Sequence, residues 1–449
     1  MTRLSKCALL VVLAFVLSVA SVGQTQDDSP APTPASTEVQ GRETYEPETT
    51  PLSGSQLLGF GLSSESLNML NIGASVHQQF DSNIASSGTE TDFGGVTSIG
   101  GNVDLNRQWK RNSLNLHYAG GGSFHSGVSN SSDNNLHNNM FHTASIAQAL
   151  SWRRWTLRFG DEFTYSPYAY GFGQGGFAYS SGGMVLHPGE VPDQSIYSTR
   201  SSRLGNTVFA NLDYSFTRRT AVTFSGSYGV LKFDESSYFD SDEYGGGVGV
   251  SHQLTGHDSI AGNYRFSRNQ YDVLGTSFET HTAEFRYGRR ITGRLGFELW
   301  GGPQFNYYNS GPLLQRDVIA SGGVNFHYRT RVTEYWVGYS RGVQGGSGIL
   351  LGSVADSVAG NVSRDVGRNW SVVLNGGYSR NGALITGSKF NSGFGRVSLR
   401  RSLGQYTGVG ANYSLLRQTG NCVAGNCPFF TRHIIGVSFD WHLKPVRLD

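Results

Sequence analysis

The segment Ile435-Gly436-Val437-Ser438-Phe439-Asp440-Trp441, close to the C-terminus, has an apolar side chain at every second position. Successive side chains of a β-strand point to opposite faces, so one face of this strand is apolar and the other carries glycine, serine and aspartate. The same two-residue period recurs from Leu67 to Leu443. A long series of such strands, with small or polar residues on the second face, indicates a sheet with lipid outside and water inside.

Short turns recur at a near-constant interval in the second half of the chain. The interval is about 37 residues, enough for two strands of ~10 residues and one longer loop. The sequence therefore predicts an all-β protein, a transmembrane antiparallel up-and-down β-barrel of about eighteen strands with both termini on the same side. Sixteen strands is the alternative, because four strands alternate weakly and Pro303 interrupts the eleventh. The weak strands lie near 138–152, 244–254, 352–363 and 390–402.

The N-terminus predicts export. Arg3 and Lys6 precede an apolar stretch from Cys7 to Ala20, and small residues follow, so we interpret 1–23 as a secretory signal peptide. Its apolar core of about 14 residues is shorter than the ~20 of a spanning helix, and no later stretch approaches that length. Residues 24–56 are rich in Pro, Thr and Ser and are expected to form a disordered periplasmic segment. Residues 57–449 would then form the barrel.

Composition narrows the class of protein further. Glycine accounts for 61 of 449 residues, which suits the twisted strands and open lumen of a large barrel. The formal net charge of +2 gives no indication of a nucleic-acid partner. After signal-peptide cleavage only Cys422 and Cys427 remain, and their spacing within one loop predicts a disulfide formed in an oxidising compartment. A metal site there is the weaker interpretation, because no histidine or further cysteine completes a ligand set.

Aromatic and basic residues cluster at the expected strand ends. Trp109, Trp152, Trp155 and Trp370 lie beside short turns, and Tyr271, Tyr307, Tyr308 and Tyr378 lie near loops, which predicts two aromatic girdles. Arginines concentrate at the short turns, for example in Arg153-Arg154 and Arg218-Arg219. They form either a solvated rim or contacts with anionic lipid head groups.

With these elements placed, the chain resembles the putative β-barrel porin families of Gram-negative bacteria. The resemblance rests on the segment Gln79-Phe80-Asp81-Ser82-Asn83-Ile84, the repeated Gly-x-aromatic strands and the final Phe439-Asp440-Trp441. It implies residence in the bacterial outer membrane, contact with lipid and lipopolysaccharide, and insertion by the barrel-assembly machinery. Family members usually end on the aromatic residue that this machinery recognises, whereas residues 442–449 follow Trp441 here.

Two groups of residues are candidates for control of passage. Strand parity predicts that eight charged residues line the pore, where they set ion selectivity or pair across strands to stiffen the wall. They are Arg158, Asp213, Arg265, Glu284, Arg286, Glu298, Arg329 and Glu334. The long connection Tyr165–Arg203 is rich in glycine and aromatic residues, and the loop at this place in the porins that the chain resembles folds into the lumen. Its constriction candidates are Tyr168, Tyr170, Phe172, Phe177 and Tyr179.

Other functional classes are disfavoured. The sequence has no Gly-x-Ser-x-Gly elbow in a strand-turn-helix context and no phosphate loop, so we expect neither an enzyme nor a cofactor. The spacing of His125, His137 and His142 matches no usual metal site on strands. The expected function is an outer-membrane channel for passive or substrate-selective passage of small polar solutes, and a saccharide pore ranks below a general diffusion pore. The alternative is a structural, adhesin or polysaccharide-export barrel without free conductance. Solute identity, direction of transport and oligomeric state stay open.

Overall fold

The computed structural model of the chain describes residues 68–83, 93–126, 139–166, 202–234, 238–272, 275–310, 313–344, 350–385, 387–421 and 429–448. Within these ranges the chain forms eighteen long strands and one short strand. They are β1 Met69–Asp81, β2 Gly94–Gln108, β3 Asn112–Ser126, β4 Asn139–Ser151, β5 Trp155–Ser166, β6 Arg203–Ser215, β7 Thr220–Phe233, β8 Ser241–Gln253, β9 Asp258–Tyr271, β10 Ser277–Arg290, β11 Leu295–Ser310, β12 Leu313–Arg329, β13 Thr333–Gln344, β14 Ser353–Val366, β15 Trp370–Ala383, β16 Lys389–Ser402, β17 Thr407–Asn421, β18 Phe430–His442 and β19 Val446–Arg447.

Each long strand pairs antiparallel with its neighbours in the chain, and β1 also pairs with β18, so the sheet closes on itself. The eighteen-stranded barrel predicted from the alternation, and implied by the resemblance to porin-like proteins, is confirmed. The four weakly alternating strands are present as β4, β8, β14 and β16. Closure leaves no open sheet edge, which a wall facing lipid requires.

The residues after Trp441 lengthen the closing seam. β18 pairs with β1 as far as His442, and β19 then pairs with Met69 and Leu70. Between them the Leu443 N–H donates to the Ile72 carbonyl at 2.8 Å, and after β19 the Leu448 N–H donates to the Asn68 carbonyl at 2.8 Å. The extension beyond the final aromatic residue is therefore part of the barrel wall.

Pro303 lies inside β11, where it interrupts the ladder without ending the strand. Pairing of β10 with β11 runs to Thr282–Gln304 and resumes at Phe285–Gly301. Proline has no backbone N–H to donate, and this is why a proline within a strand weakens its pairing. The pairing of β11 with β12 continues through Pro303, opposite Ala320.

Four of the short turns share one local structure. Thr217, Thr255, Thr292 and Thr330 each begin a turn, and each hydroxyl accepts a backbone N–H three residues later at 2.9–3.0 Å. Such side-chain to backbone bonds replace the pairing that the turn residues cannot make. The regular interval from Thr217 to Thr330 thus reflects a repeated turn that ends four strand pairs at one end of the barrel.

The outward face is apolar. Ile435 and Val437 of the quoted strand are 58% and 54% exposed, and exposed Val, Leu, Phe and Tyr side chains occur on most other strands. An apolar surface of this extent is unfavourable in water and matches the lipid-facing band of a membrane barrel. Among the described residues, no helix is long and apolar enough to cross a membrane.

The aromatic belt differs at the two ends. Trp109, Trp152, Trp155 and Trp370 are exposed at the short-turn end, as expected. At the other end, the prediction for Tyr271 and Tyr308 is wrong, because both are buried inside the barrel. The outer girdle consists instead of tyrosines whose hydroxyls contact a polar side chain of the following strand. These tyrosines are Tyr118, Tyr228, Tyr264, Tyr339, Tyr378 and Tyr413.

Candidate functional site

The lumen is the candidate site, and strand register decides which side chains enter it. On β10, the outward Phe285 is 55% exposed, whereas its neighbours Glu284 and Arg286 are buried on the opposite face. Following the register around the sheet puts all eight predicted pore-lining residues on this inward face. They are Arg158 of β5, Asp213 of β6, Arg265 of β9, Glu284 and Arg286 of β10, Glu298 of β11, Arg329 of β12 and Glu334 of β13.

A buried ion cluster lies on β10 and β11, toward the short turn that joins them. The Arg286 guanidinium donates to Glu298 Oε1 at 2.5 Å and to Glu284 Oε1 at 3.2 Å. It also lies 5.5 Å from the centre of the Trp300 ring. Charge-assisted bonds of this kind hold two neighbouring strands in register. The cluster joins three of the predicted residues, and it has one more carboxylate than guanidinium.

A second pair lies nearer the short turns. The Arg158 guanidinium donates to the Asp213 carboxylate across β5 and β6. Asp213 also accepts the Thr223 hydroxyl at 2.6 Å, which ties in β7. Both members are partly exposed, so this pair remains accessible from the lumen. Pairing across strands, one of the two roles considered for these charges, therefore occurs at two heights of the wall.

The other predicted residues lie on β9, β12 and β13. Arg265 lies one strand from Glu284, opposite Thr282. Arg329 and Glu334 face each other where β12 ends and β13 begins, and the Arg329 side chain is exposed there. Arg286 lies opposite Trp300, which in turn lies opposite Gly323 of β12. Arg329 is roughly 20 Å further along β12 than Gly323, at ~3.3 Å per residue. Arg265, Arg286 and Arg329 thus do not form one continuous basic wall.

Three further lumenal pairs were not predicted. Arg432 donates to Asp81 across the closing seam, with both side chains almost completely buried. Arg400 pairs with Asp440 across β17, and His117 contacts Asp104 at 2.5 Å. Gly408 of the intervening strand makes the Arg400–Asp440 contact possible, since a Cβ there would lie 3.2 Å from the Arg400 guanidinium. Asp440 occupies one of the polar positions of the strand Ile435–Trp441, and this alternation predicts that its side chain faces inward. Nothing in the sequence identifies Arg400 as its partner.

A strap of residues 350–352, the described end of the connection between β13 and β14, crosses the outer mouth. Leu350 is buried against Phe390 of β16. Leu351 packs on the cluster of Tyr271, Phe278 and Tyr308 from β9, β10 and β11. A Cβ at Gly352, which has φ +84°, would lie 3.0 Å from the Phe278 ring, so the backbone approaches this wall closely. Leu350 and Leu351 thus hold the strap against Phe390 of β16 and against a cluster that also includes Val343 of β13.

Two indole rings lie flat along the inner wall. A Cβ at Gly323 would be 2.8 Å from Cη2 of Trp300, and a Cβ at Gly338 would be 2.7 Å from Cζ2 of Trp336. The absence of a side chain at these two glycines lets each ring lie against the backbone. The Arg286 guanidinium lies over the Trp300 ring, so arginine and indole together form this part of the wall.

Several predicted features fall outside the described residues. These are the signal peptide and the 24–56 segment, the constriction candidates Tyr168, Tyr170, Phe172, Phe177 and Tyr179, and the pair Cys422 and Cys427. Of the three histidines considered for metal binding, His125 faces inward on β3 and His142 faces outward on β4. They therefore do not converge, and no group of potential metal ligands occurs in the described part of the chain.

Comparison with known proteins gives matches among solved structures. The chain is similar to Pseudomonas aeruginosa OpdK crystallised with vanillate (9% identity, TM-score 0.44), over 83% of this chain and 99% of that one. It is similar to P. aeruginosa OccK2 (OpdF) in complex with glucuronate (11% identity, TM-score 0.45), over 84% and 98%. Acinetobacter baumannii OccAB2 matches at 8% identity and TM-score 0.43, over 84% and 98%. No protein-family model matches the sequence, and no curated protein does.

Proposed function

We propose that this barrel is an integral outer-membrane channel for small polar solutes. The observation that carries the proposal is the division of one closed wall into an apolar outward face and an inward face of polar and charged side chains. A barrel of sixteen to eighteen strands is wide enough to enclose water. The signal peptide at 1–23 and the periplasmic segment at 24–56 remain part of the proposal.

The preferred solutes are neutral and polar, with saccharides as the leading class. Inward arginines at several places around the wall are paired with carboxylates, as in Arg158–Asp213, Arg286–Glu298 and Arg432–Asp81. Paired charges offset each other, which favours weak ion selectivity. Trp300 and Trp336 add aromatic side chains to the inward face, and aromatic side chains favour contact with the C–H faces of sugars.

The direct test is single-channel recording of the folded protein in planar bilayers. The proposal predicts discrete conductance steps, and liposome swelling that falls as the size of the added sugar rises. A folded, inserted barrel that never conducts would support the structural or export-complex alternative. Hydrolase assays on the same preparation test the expectation that the protein is not an enzyme.

Two segments are candidates for the one that limits the size of the pore. We propose that the connection Tyr165–Arg203 enters the lumen, so shortening Gly171–Gly183 should raise the conductance. The strap at 350–352 packs on inward side chains at the outer end of the lumen, so Leu350→Ala should loosen it and also raise the conductance. A rise with only one of the two variants identifies which segment limits passage.

A further inference from the structure

A row of glycines forms a groove on the outward face. Gly360, Gly376 and Gly395 lie directly opposite one another on β14, β15 and β16. Val337 and Leu415 continue the row on either side. We call this surface the glycine groove, and it encloses about 800 Å³ between apolar side chains. Because its floor has no side chains, the groove offers lipid a recess in an otherwise convex wall.

Basic residues lie directly above the groove on the same strands. Arg341, Asp356 and Arg380 occupy one register row on β13, β14 and β15, and Lys389 lies opposite Gly382. These residues line a second cavity of about 280 Å³, which we call the basic pocket. Tyr339 and Tyr378 of the outer girdle precede Arg341 and Arg380 by two residues. The basic pocket therefore lies at head-group height, and the glycine groove lies at acyl-chain height.

The basic pocket carries an excess of positive charge. Asp356 accepts Arg341 Nη1 at 2.9 and 3.1 Å and the Tyr339 hydroxyl at 3.0 Å, so its carboxylate is already engaged. Arg380 and Lys389 are exposed and form no ion pair with any residue in the described ranges. An anion with several acceptor oxygens would complete this arrangement.

The same row elsewhere on the barrel lacks this charge. Two residues beyond the girdle tyrosine, β9 has Phe266 where β15 has Arg380. Its partner on the following strand is His281, where β16 has Asn391. The basic pocket thus distinguishes the β13–β16 face from the β9–β10 pair.

We propose that this face binds one anionic lipid of the outer leaflet, with its phosphate in the basic pocket and an acyl chain in the glycine groove. Along β15, Gly376 and Arg380 are four residues apart, or about 13 Å at ~3.4 Å per residue. That distance separates a lipid phosphate from the upper and middle part of its acyl chain. The proposal needs the barrel to be embedded in a membrane, and it does not depend on conductance.

Binding of the lipid head group in the basic pocket is tested with Arg380→Gln/Lys389→Gln and, separately, with Gly382→Asp. Gly382 has open space around it, so aspartate there adds a negative charge to the pocket without a clash. Native mass spectrometry of the folded barrel with bis-phosphorylated lipid A measures the fraction carrying one lipid. Each basic side chain near an anionic surface is worth about fivefold in affinity, so the double variant should bind about twenty-five-fold more weakly. Gly293→Asp, in an open short turn at the other end, should leave binding unchanged.

The acyl-chain half is tested with Gly395→Leu, which fills the glycine groove from a position with no atom within 4 Å of the new Cβ. Gly262→Leu is the matched control, because Gly262 is an equally open outward glycine on β9. Gly395→Leu should weaken lipid A binding, and Gly262→Leu should not. Equal binding by all variants would overturn the proposal. So would full displacement of lipid A by millimolar inorganic phosphate, since the pocket would then be a site for a free anion.

Discussion

Removal of one buried lumenal charge should destabilise the barrel far more than removal of an exposed one. In Arg432→Met, Asp81 loses a guanidinium that donates from Nε at 3.1 Å and from a second nitrogen. Asp81 is 1% exposed and Arg432 is 3% exposed, so the remaining carboxylate cannot be solvated as it would be in water. Breaking a buried pair in this way costs about 3–5 kcal/mol.

The measurement is urea unfolding of the barrel in phosphatidylcholine vesicles, followed by tryptophan fluorescence. The control is Arg268→Met, since Arg268 pairs with Glu279 at 3.4 Å across β9 and β10 while both side chains are exposed. That loss should be about 0.2–1 kcal/mol. Asp81→Asn/Arg432→Met removes both charges and should recover most of the stability lost in the single variant. A loss below about 1 kcal/mol for Arg432→Met, or equal losses for both arginines, would refute the reasoning.

Three other outcomes are expected. Val437→Arg, which faces lipid, should cost about 2–4 kcal/mol or block assembly, whereas Ser438→Arg should be tolerated, and equal damage would mean that the assigned faces are wrong. Gly323→Val should push the Trp300 ring off the wall, and an unchanged near-ultraviolet circular dichroism spectrum would contradict this. If Cys422 and Cys427 form a surface disulfide, a membrane-impermeant maleimide should label intact cells only after reduction. Labelling confined to permeabilised cells would reverse the topology.

The barrel could be predicted from the sequence because each strand and each turn is specified by residues close together in the chain. The alternation in Ile435–Trp441 and the threonine turns such as Thr255–Asp258 each specify a strand or its end within a few residues. Strand parity likewise placed Arg158 and Glu284 on the inward face. Pro303 shows the limit of such rules, because β11 and β12 stay paired through a residue that usually ends a strand.

Other features depend on which distant residues become neighbours. Asp81 and Arg432 are far apart in the chain and meet only because β1 closes on β18. Arg400 reaches Asp440 only across the glycine of a strand between them. Tyr271 and Tyr308 have the sequence context of girdle residues, yet register turns both inward onto the strap.

The sequence by itself determined that this is a transmembrane barrel, its approximate strand number, and the face of the sheet to which most side chains belong. Those properties follow from a two-residue period that each strand carries independently of the others. Only the tertiary structure decided which inward charges pair, where the strap crosses the lumen, and that three glycines from separate strands form one groove. The physical reason is that the position of each residue in the barrel depends on the pairing register of all the strands before it. Contacts between distant strands therefore form only once the whole sheet has closed.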